Sequence, residues 1–171
     1  MHKDSDESVI ASIPLKNAQA TKRLARLIAP HLQRGDIIGL TGELGAGKSH
    51  FARALIACRL AALDRSEDIP SPSFTLVQTY SLDGIDLWHV DLYRLADVSE
   101  IGELGLEEAF EEGIVVVEWI DRLDPGAPAR ELRLSLQFLT NSENGRLARL
   151  EARGPNWPWF CGVLEQMRGN P

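Results

Sequence analysis

The chain has 171 residues, of which 44% are hydrophobic and 25% charged, and its formal net charge at pH 7 is −7. These values are typical of one globular domain, and no apolar run approaches the roughly 20 residues of a membrane-spanning helix. The negative charge argues against a protein that grips RNA or DNA by itself, since such proteins present basic faces. Residues 1–8 are polar and acidic, unlike a signal or transit peptide, so we expect a disordered tail on a cytoplasmic protein.

The first part of the chain alternates strand-like and helix-like segments. Residues 9–13 predict a strand that ends at Pro14, and Asn17 is placed to cap a helix that runs to about residue 33. Residues 37–41 (IIGLT) predict a short buried strand, and residues 49–63 repeat apolar side chains at helical spacing. This alternation predicts an α/β sandwich with a largely parallel sheet.

Between that strand and that helix, residues 42–49 (GELGAGKS) match the phosphate-binding pattern G-x-x-x-x-G-K-[ST] at every fixed position. The glycines allow close backbone approach, so that successive N–H groups and the helix N-terminus face the β-phosphate. In this pattern Lys48 reaches the β- and γ-phosphates, and the Ser49 hydroxyl ligates magnesium. The loop therefore predicts binding of a magnesium nucleotide.

A hydroxyl-rich segment with two prolines, residues 70–75 (PSPSFT), follows the helix. Its pattern leaves two interpretations open: a loop that closes over the γ-phosphate through Ser73 or Thr75, or a turn capped by hydroxyl groups. Two strand-like runs, residues 75–80 and 86–91, then flank a turn at hairpin spacing. The sheet is therefore expected to be mixed.

Two apolar runs end in a carboxylate, Asp91 after LWHV and Glu118 after IVVV. A buried strand that delivers a carboxylate beside a P-loop is typical of a Walker B strand, which holds magnesium directly or through water. Two such carboxylates can have different roles: one positions magnesium, and the other orients or deprotonates the attacking water. The spacing does not decide which of the two carboxylates has which role.

Between these two strands, residues 97–112 predict an acidic helix interrupted by glycines. This helix is either a solvated face or a site for a basic protein.

The last part of the chain predicts a β-hairpin and a helix. Residues 132–138 and 147–151 alternate apolar and polar side chains around a turn, which predicts a hairpin with one wet face. Arg146 ends that turn and is either a solvated charge or a phosphate ligand. Residues 156–167 are rich in tryptophan and predict a short helix that covers the sheet. We expect one domain over residues 9–155 and a packed C-terminal helix over residues 156–171.

In this order, GELGAGKS, SPSFTL (71–76), HVDLYRL (89–95) and VEW (117–119) resemble the TsaE family, the small bacterial P-loop ATPases of tRNA threonylcarbamoyladenosine synthesis. The resemblance covers roughly residues 9–153 and implies an α/β fold: a three-layer P-loop NTPase sandwich with a mixed, partly parallel sheet and a C-terminal hairpin. It also implies ATP and Mg²⁺ as cofactors. Activity is expected to be slow alone and to depend on TsaD and TsaB-like partners, with no direct grip on tRNA by this chain.

By this resemblance Ser49 and Glu118 hold magnesium, Asp91 contacts the nucleotide–metal centre, and residues 71–75 act as a switch-like loop. The catalytic set is then Lys48, Asp91 and Glu118. The nucleotide-binding set is Ala18, Glu43, Gly45, Ala46, Gly47, Lys48, Ser49, His50, Ser73, Thr75, Asp91 and Arg146. Ser49 and Ser73 stand where the family usually has threonine, and since both keep a hydroxyl we expect tuning of the activity rather than its loss.

Two other functions fit the same P-loop. A small-molecule kinase generally needs an arginine-bearing lid, and the arginine-free acidic stretch over residues 96–121 argues against one. A non-hydrolytic, nucleotide-dependent scaffold would not need the carboxylate of Glu118. A GTPase is not supported, since the guanine-reading motif Asn-Lys-x-Asp does not occur.

Overall fold

The computed structural model describes residues 8–97, 99–124 and 126–169. The predicted N-terminal tail, apart from its last residue, lies outside the described residues, as do the last two residues of the predicted C-terminal segment. Among the described residues, no helix has the length and apolar character needed to cross a membrane.

In these ranges seven strands form one sheet in the order β1-β7-β6-β2-β5-β4-β3. The strands are β1 (Val9–Leu15), β2 (Ile37–Thr41), β3 (Val77–Leu82), β4 (Ile85–Asp91), β5 (Ile114–Glu118), β6 (Glu131–Phe138) and β7 (Arg146–Arg153). The α-helices are α1 (Ala18–Ile28), α2 (Lys48–Ala61), α3 (Glu100–Glu103), α4 (Leu106–Glu112) and α5 (Phe160–Arg168). Short 3₁₀ helices span Ala29–His31 and Ile120–Leu123.

The sheet is mixed, as predicted. Strand β2 is parallel to β5 and β6, and β4 is parallel to β5. The pairs β1–β7, β6–β7 and β3–β4 are antiparallel. One core lies between the sheet and helices α1, α2 and α5, and a second lies between the other face and α4. This arrangement confirms the predicted three-layer α/β sandwich with a C-terminal hairpin.

The central strand β2 explains where the P-loop can lie. Ile37, Ile38, Gly39 and Leu40 are all buried, because the strand has neighbours on both sides and helices over both faces. The chain leaves β2 at the carboxyl edge of the parallel part of the sheet and enters α2 directly after the glycine loop. Ligands of open α/β sheets bind at this edge.

Two predicted element ends near the N-terminus are wrong. Strand β1 does not end at Pro14 but continues to Leu15, because β1 is an edge strand and an edge tolerates a residue without an N–H group. The helix that begins after Asn17 ends at Ile28 rather than near residue 33. The prediction of the cap itself is confirmed, since Asn17 Oδ1 accepts a hydrogen bond of 3.0 Å from the Ala20 backbone N–H.

The predicted wet face of the C-terminal hairpin is wrong at the start of β6, while it is exposed at Gln137 near the end of the strand. The 3₁₀ helix Ile120–Leu123 lies over this part of the sheet, where Ile120 and the Glu131 carboxylate both approach Gly39, and the charged side chains of Glu131 and Arg133 are buried. Arg133 Nε donates to Glu131 Oε1 at 2.6 Å, and Arg153 Nη1 donates to the same oxygen at 3.2 Å. Hydrogen bonds from Arg133 also hold the pKa of Asp124 below its usual range. The buried Glu131 carboxylate is therefore paired with two arginines through its Oε1 atom.

Gly39 tests the packing of the central strand. A Cβ at Gly39 would lie 2.8 Å from Ile120 Cγ2 and 3.0 Å from Glu131 Oε2, so we expect Gly39→Ala to lower the free energy of unfolding by about 1–3 kcal/mol. Gly102 in α3 has nothing within 4 Å of such a Cβ, and Gly102→Ala should keep or slightly raise stability. Urea denaturation of both variants gives the comparison, and equal effects would contradict it.

Candidate functional site

The glycine loop bends sharply around the N-terminus of α2. Gly42, Gly45 and Gly47 have φ values of 136°, 79° and 109°, which side chains with a Cβ rarely adopt. At Gly42 a Cβ would also lie 2.3 Å from the Leu136 carbonyl oxygen. These three positions therefore require glycine, and the loop keeps its backbone N–H groups close to the start of α2.

Lys48 opens α2 and turns its side chain into the loop. Its Nζ donates to the carbonyl oxygens of Gly42 at 2.7 Å and Glu43 at 2.9 Å, and it lies 3.8 Å from the centre of the Trp119 ring. Burial lowers the pKa of Lys48, and the nearby carboxylates of Glu118 and Asp91 oppose that effect. The ammonium is therefore held in a mostly buried position by carbonyl dipoles, an aromatic face and negative charge.

The two predicted strand-end carboxylates lie side by side. The parallel register of β4 and β5 pairs Asp91 with Glu118, and both side chains are buried. Ser49 Oγ donates to Glu118 Oε2 at 2.6 Å, which joins the two predicted magnesium ligands. Asp91 accepts hydrogen bonds from Ser73 Oγ at 2.8 Å and from the Tyr93 backbone N–H at 2.9 Å.

A cleft of about 240 Å³ separates the glycine loop from these strand ends. Eight of the predicted site residues line it: Gly45, Gly47, Lys48, Ser49, His50, Ser73, Asp91 and Glu118. The hydroxyl loop reaches the cleft through Ser73, whose Oγ is also 2.8 Å from Ser71 Oγ. The cleft thus gathers the P-loop, the hydroxyl loop and both carboxylates in one place.

Five predicted residues do not line the cleft: Ala18, Glu43, Ala46, Thr75 and Arg146. Arg146 Nε donates to the Ala46 carbonyl at 3.1 Å, and its guanidinium lies 4.2 Å from the centre of the Phe138 ring. The Ala18 carbonyl is 2.9 Å from His50 Nε2, which links the starts of α1 and α2. Thr75 is exposed, and its hydroxyl oxygen accepts from Gln78 Nε2 at 3.3 Å.

The sequence prediction missed five side chains at or beside the cleft: Leu44, Arg53, Tyr93, Trp119 and His89. The first four line the cleft, and His89 contacts Glu118 from behind it. Simple periodicity could have found two of them. Arg53 follows Ser49 by one helical turn, and His89 precedes Asp91 by two residues on the same face of a strand.

The donors in the cleft fit a magnesium ion that is shared with phosphate groups. In the described ranges, no cluster of three or more His, Cys, Asp and Glu side chains could hold a metal by itself. The Ser49 hydroxyl and the carboxylates of Glu118 and Asp91 are hard oxygen ligands at the mouth of a phosphate loop. Magnesium is usually held by one or two carboxylates together with substrate phosphates and water, which is the set available here.

Comparison with known proteins gives a consistent result. A family model described as threonylcarbamoyl adenosine biosynthesis protein TsaE matches residues 15–148. The tRNA threonylcarbamoyladenosine biosynthesis protein TsaE of Rickettsia felis is 38% identical over 136 residues, which cover 80% of this chain and 77% of that protein. The protein of the same name from Bacillus subtilis is 31% identical over 151 residues, which cover 88% of this chain and 90% of that protein.

A solved structure supports the same relationship. The crystal structure of Bacillus subtilis YdiB superimposes with a TM-score of 0.71 at 25% sequence identity. The match covers 96% of this chain and 98% of that chain, so it includes both the parallel part of the sheet and the C-terminal hairpin.

Glu118→Gln tests the electrostatics of the paired carboxylates. The amide keeps an oxygen for His89 and a contact for Ser49 while it removes one of two adjacent buried charges. In urea titrations with EDTA we expect the free energy of unfolding to rise by about 1 kcal/mol. Glu118→Leu leaves His89 and Ser49 without their hydrogen-bond acceptor and should lower the free energy of unfolding by about 1–3 kcal/mol. A destabilised Glu118→Gln protein would show that the two charges do not oppose folding.

Proposed function

We propose that this chain, which belongs to the TsaE family and has that family's role in tRNA threonylcarbamoyladenosine biosynthesis, is a magnesium-dependent ATPase. We further propose that it works in the cytoplasm with the TsaD–TsaB threonylcarbamoyl transferase. The observation that carries the proposal is the hydrogen bond between Ser49 and Glu118, with Asp91 beside it, at the start of the P-loop helix.

The glycine loop and Lys48 provide the phosphate-binding part of this activity. The loop brings backbone N–H groups to the positive end of α2, which favours a bound phosphate. Lys48 donates to the carbonyls of Gly42 and Glu43. The β- and γ-phosphates of ATP would take the place of these carbonyls and give the ammonium charged acceptors instead of neutral ones.

Ser49 and Glu118 would hold the magnesium ion, which neutralises charge on the phosphates when it is bound. Asp91 is then the carboxylate placed to orient the attacking water. Both of its oxygens already accept hydrogen bonds, from Ser73 and from the Tyr93 backbone, so its orientation is set before a nucleotide binds. The bond from Ser73 also ties the hydroxyl loop to this carboxylate, which supports a switch-like role for residues 71–75.

The rim of the cleft supports action inside a protein complex. Four large apolar side chains near it are exposed: Leu44 by 71%, Phe74 by 81%, Tyr93 by 41% and Phe138 by 45%. Leu44 and Tyr93 line the cleft itself, Phe74 follows the cleft residue Ser73, and Phe138 stacks under Arg146. Exposed apolar groups around a charged cleft are typical of a surface that a partner covers.

The first test is hydrolysis by the purified chain. We expect slow phosphate release from ATP in the presence of magnesium, and little from GTP. Lys48→Ala or Glu118→Ala should lower the ATP rate by about 100-fold or more, because each removes charge stabilisation of the transferred phosphoryl group. Lys22→Ala, in α1 away from the cleft, is the matched control and should keep the rate. Rapid phosphoryl transfer to a metabolite would instead identify a kinase.

The second test concerns the partners. We expect TsaD and TsaB together to raise the ATP rate, and Phe74→Ala to reduce the ratio of stimulated to basal rate by about fivefold or more. Ile10→Ala removes another exposed apolar side chain, from β1 at the far edge of the sheet, and should leave this ratio unchanged. Equal loss of stimulation in both variants, or no stimulation of the unaltered chain, would contradict this part of the proposal.

A further inference from the structure

His89 is a buried histidine that the proposed function does not yet use. Its side chain is 0% exposed, and its Nε2 lies 2.8 Å from Glu118 Oε1. Its other ring nitrogen, Nδ1, is also buried and has no hydrogen-bond partner among the described residues. The histidine therefore makes one polar contact, and that contact is to a proposed magnesium ligand.

The sheet places this contact through strand register. His89 pairs with Val116 of β5, and Glu118 follows two residues later on the same face of that strand. The imidazole thus reaches Glu118 diagonally from the neighbouring strand, a distance that a long side chain can span. On its other side Glu118 accepts from Ser49 at 2.6 Å through Oε2. The carboxylate therefore lies between the His89 imidazole from the sheet and the Ser49 hydroxyl from α2.

The surroundings of the ring indicate which nitrogen carries the proton. A proton on Nδ1 would be a buried donor without an acceptor, which costs free energy. A proton on Nε2 faces the Glu118 carboxylate and forms a charge-assisted hydrogen bond. The Nε2–H form is therefore the one that suits this site.

We propose that His89 is a positioning residue that orients the Glu118 carboxylate, so that Oε2 faces the magnesium position beside Ser49. This inference rests on the proposed function. Among the described residues, His89 is the side chain that donates to Glu118 Oε1. Without it Oε1 would be a buried carboxylate oxygen with no donor, and the carboxylate would be free to turn away from Ser49.

A purely space-filling role does not account for the histidine. An apolar side chain would fill the same volume beside Glu118 without burying an unpaired Nδ1. Packing alone therefore does not require a histidine here, whereas the contact of Nε2 with Glu118 does. Residues that hydrogen-bond to metal ligands are known to set ligand orientation and metal affinity.

The experiment compares His89→Leu, which removes the donor, with His89→Gln, whose side-chain amide can place an N–H group near the position of Nε2. Binding of Mn²⁺ to the complex of the full chain with ADP is followed by electron paramagnetic resonance, and binding of ADP alone is measured in EDTA. We expect His89→Leu to weaken Mn²⁺ binding by about tenfold or more, as is usual for an outer-shell partner of a metal ligand. ADP affinity in EDTA should change by less than about twofold, and His89→Gln should recover most of the Mn²⁺ affinity.

The other outcomes overturn the inference. They are unchanged Mn²⁺ binding in His89→Leu, an equal loss of ADP affinity in EDTA, and a His89→Gln protein as weak as His89→Leu. If Mn²⁺ does not bind to the complex of the unaltered chain with ADP, the proposed function itself fails. If Mn²⁺ binds to that complex and binds equally well in His89→Leu, only the inference about His89 fails. If His89→Leu does not fold, ¹⁵N NMR of the unaltered protein decides: a protected Nε2–H supports the inference, and an Nδ1–H tautomer overturns it.

Discussion

The parallel pairing of β4 with β5 is the constraint on which the rest of the site depends. It places the buried carboxylates of Asp91 and Glu118 side by side, an arrangement that is unfavourable unless each charge is compensated. Each carboxylate accepts two hydrogen bonds, and the ammonium of Lys48 lies close enough to feel both charges. The hydrogen-bond donors around the two carboxylates therefore offset the repulsion that the register of β4 and β5 creates.

As a result, the polar groups of the cleft are largely satisfied by one another. Lys48 uses backbone carbonyls and the face of Trp119, and Ser49 uses Glu118. A nucleotide with its metal would exchange these internal contacts for contacts with phosphate and magnesium, not fill a set of unpaired groups. The affinity for the nucleotide then depends on the free-energy difference between these internal contacts and the contacts that replace them. A small change in the orientation of a carboxylate can alter that difference.

Local pattern was sufficient for the parts of the molecule in which one segment determines its own environment. The P-loop, the buried strand β2 and the ends of β4 and β5 were predicted because glycine spacing and apolar runs are local signals. The continuation of β1 through Pro14 and the buried charges of β6 depend on which elements lie alongside, and that information is not local. Periodicity places His89 on the same strand face as Asp91, but its contact with Glu118 is on another strand and has no local signal. The family resemblance indicated the pathway, which pattern alone left open and the comparisons support, whereas ATP as the nucleotide stays a prediction from that resemblance.

The strand order also has a consequence for how the chain acquires its structure during synthesis. Strand β2, which carries the P-loop, lies between β5 and β6, and the edge strand β1 pairs with β7. Strands β5 and β6 are synthesised after β2, and β7 is synthesised after β1. The nascent chain therefore emerges from the ribosome with its phosphate loop on an unpaired strand, and long-range pairing of this kind slows folding and exposes apolar edges meanwhile. A chain truncated before β6 would lack one neighbour of the strand that supports the loop.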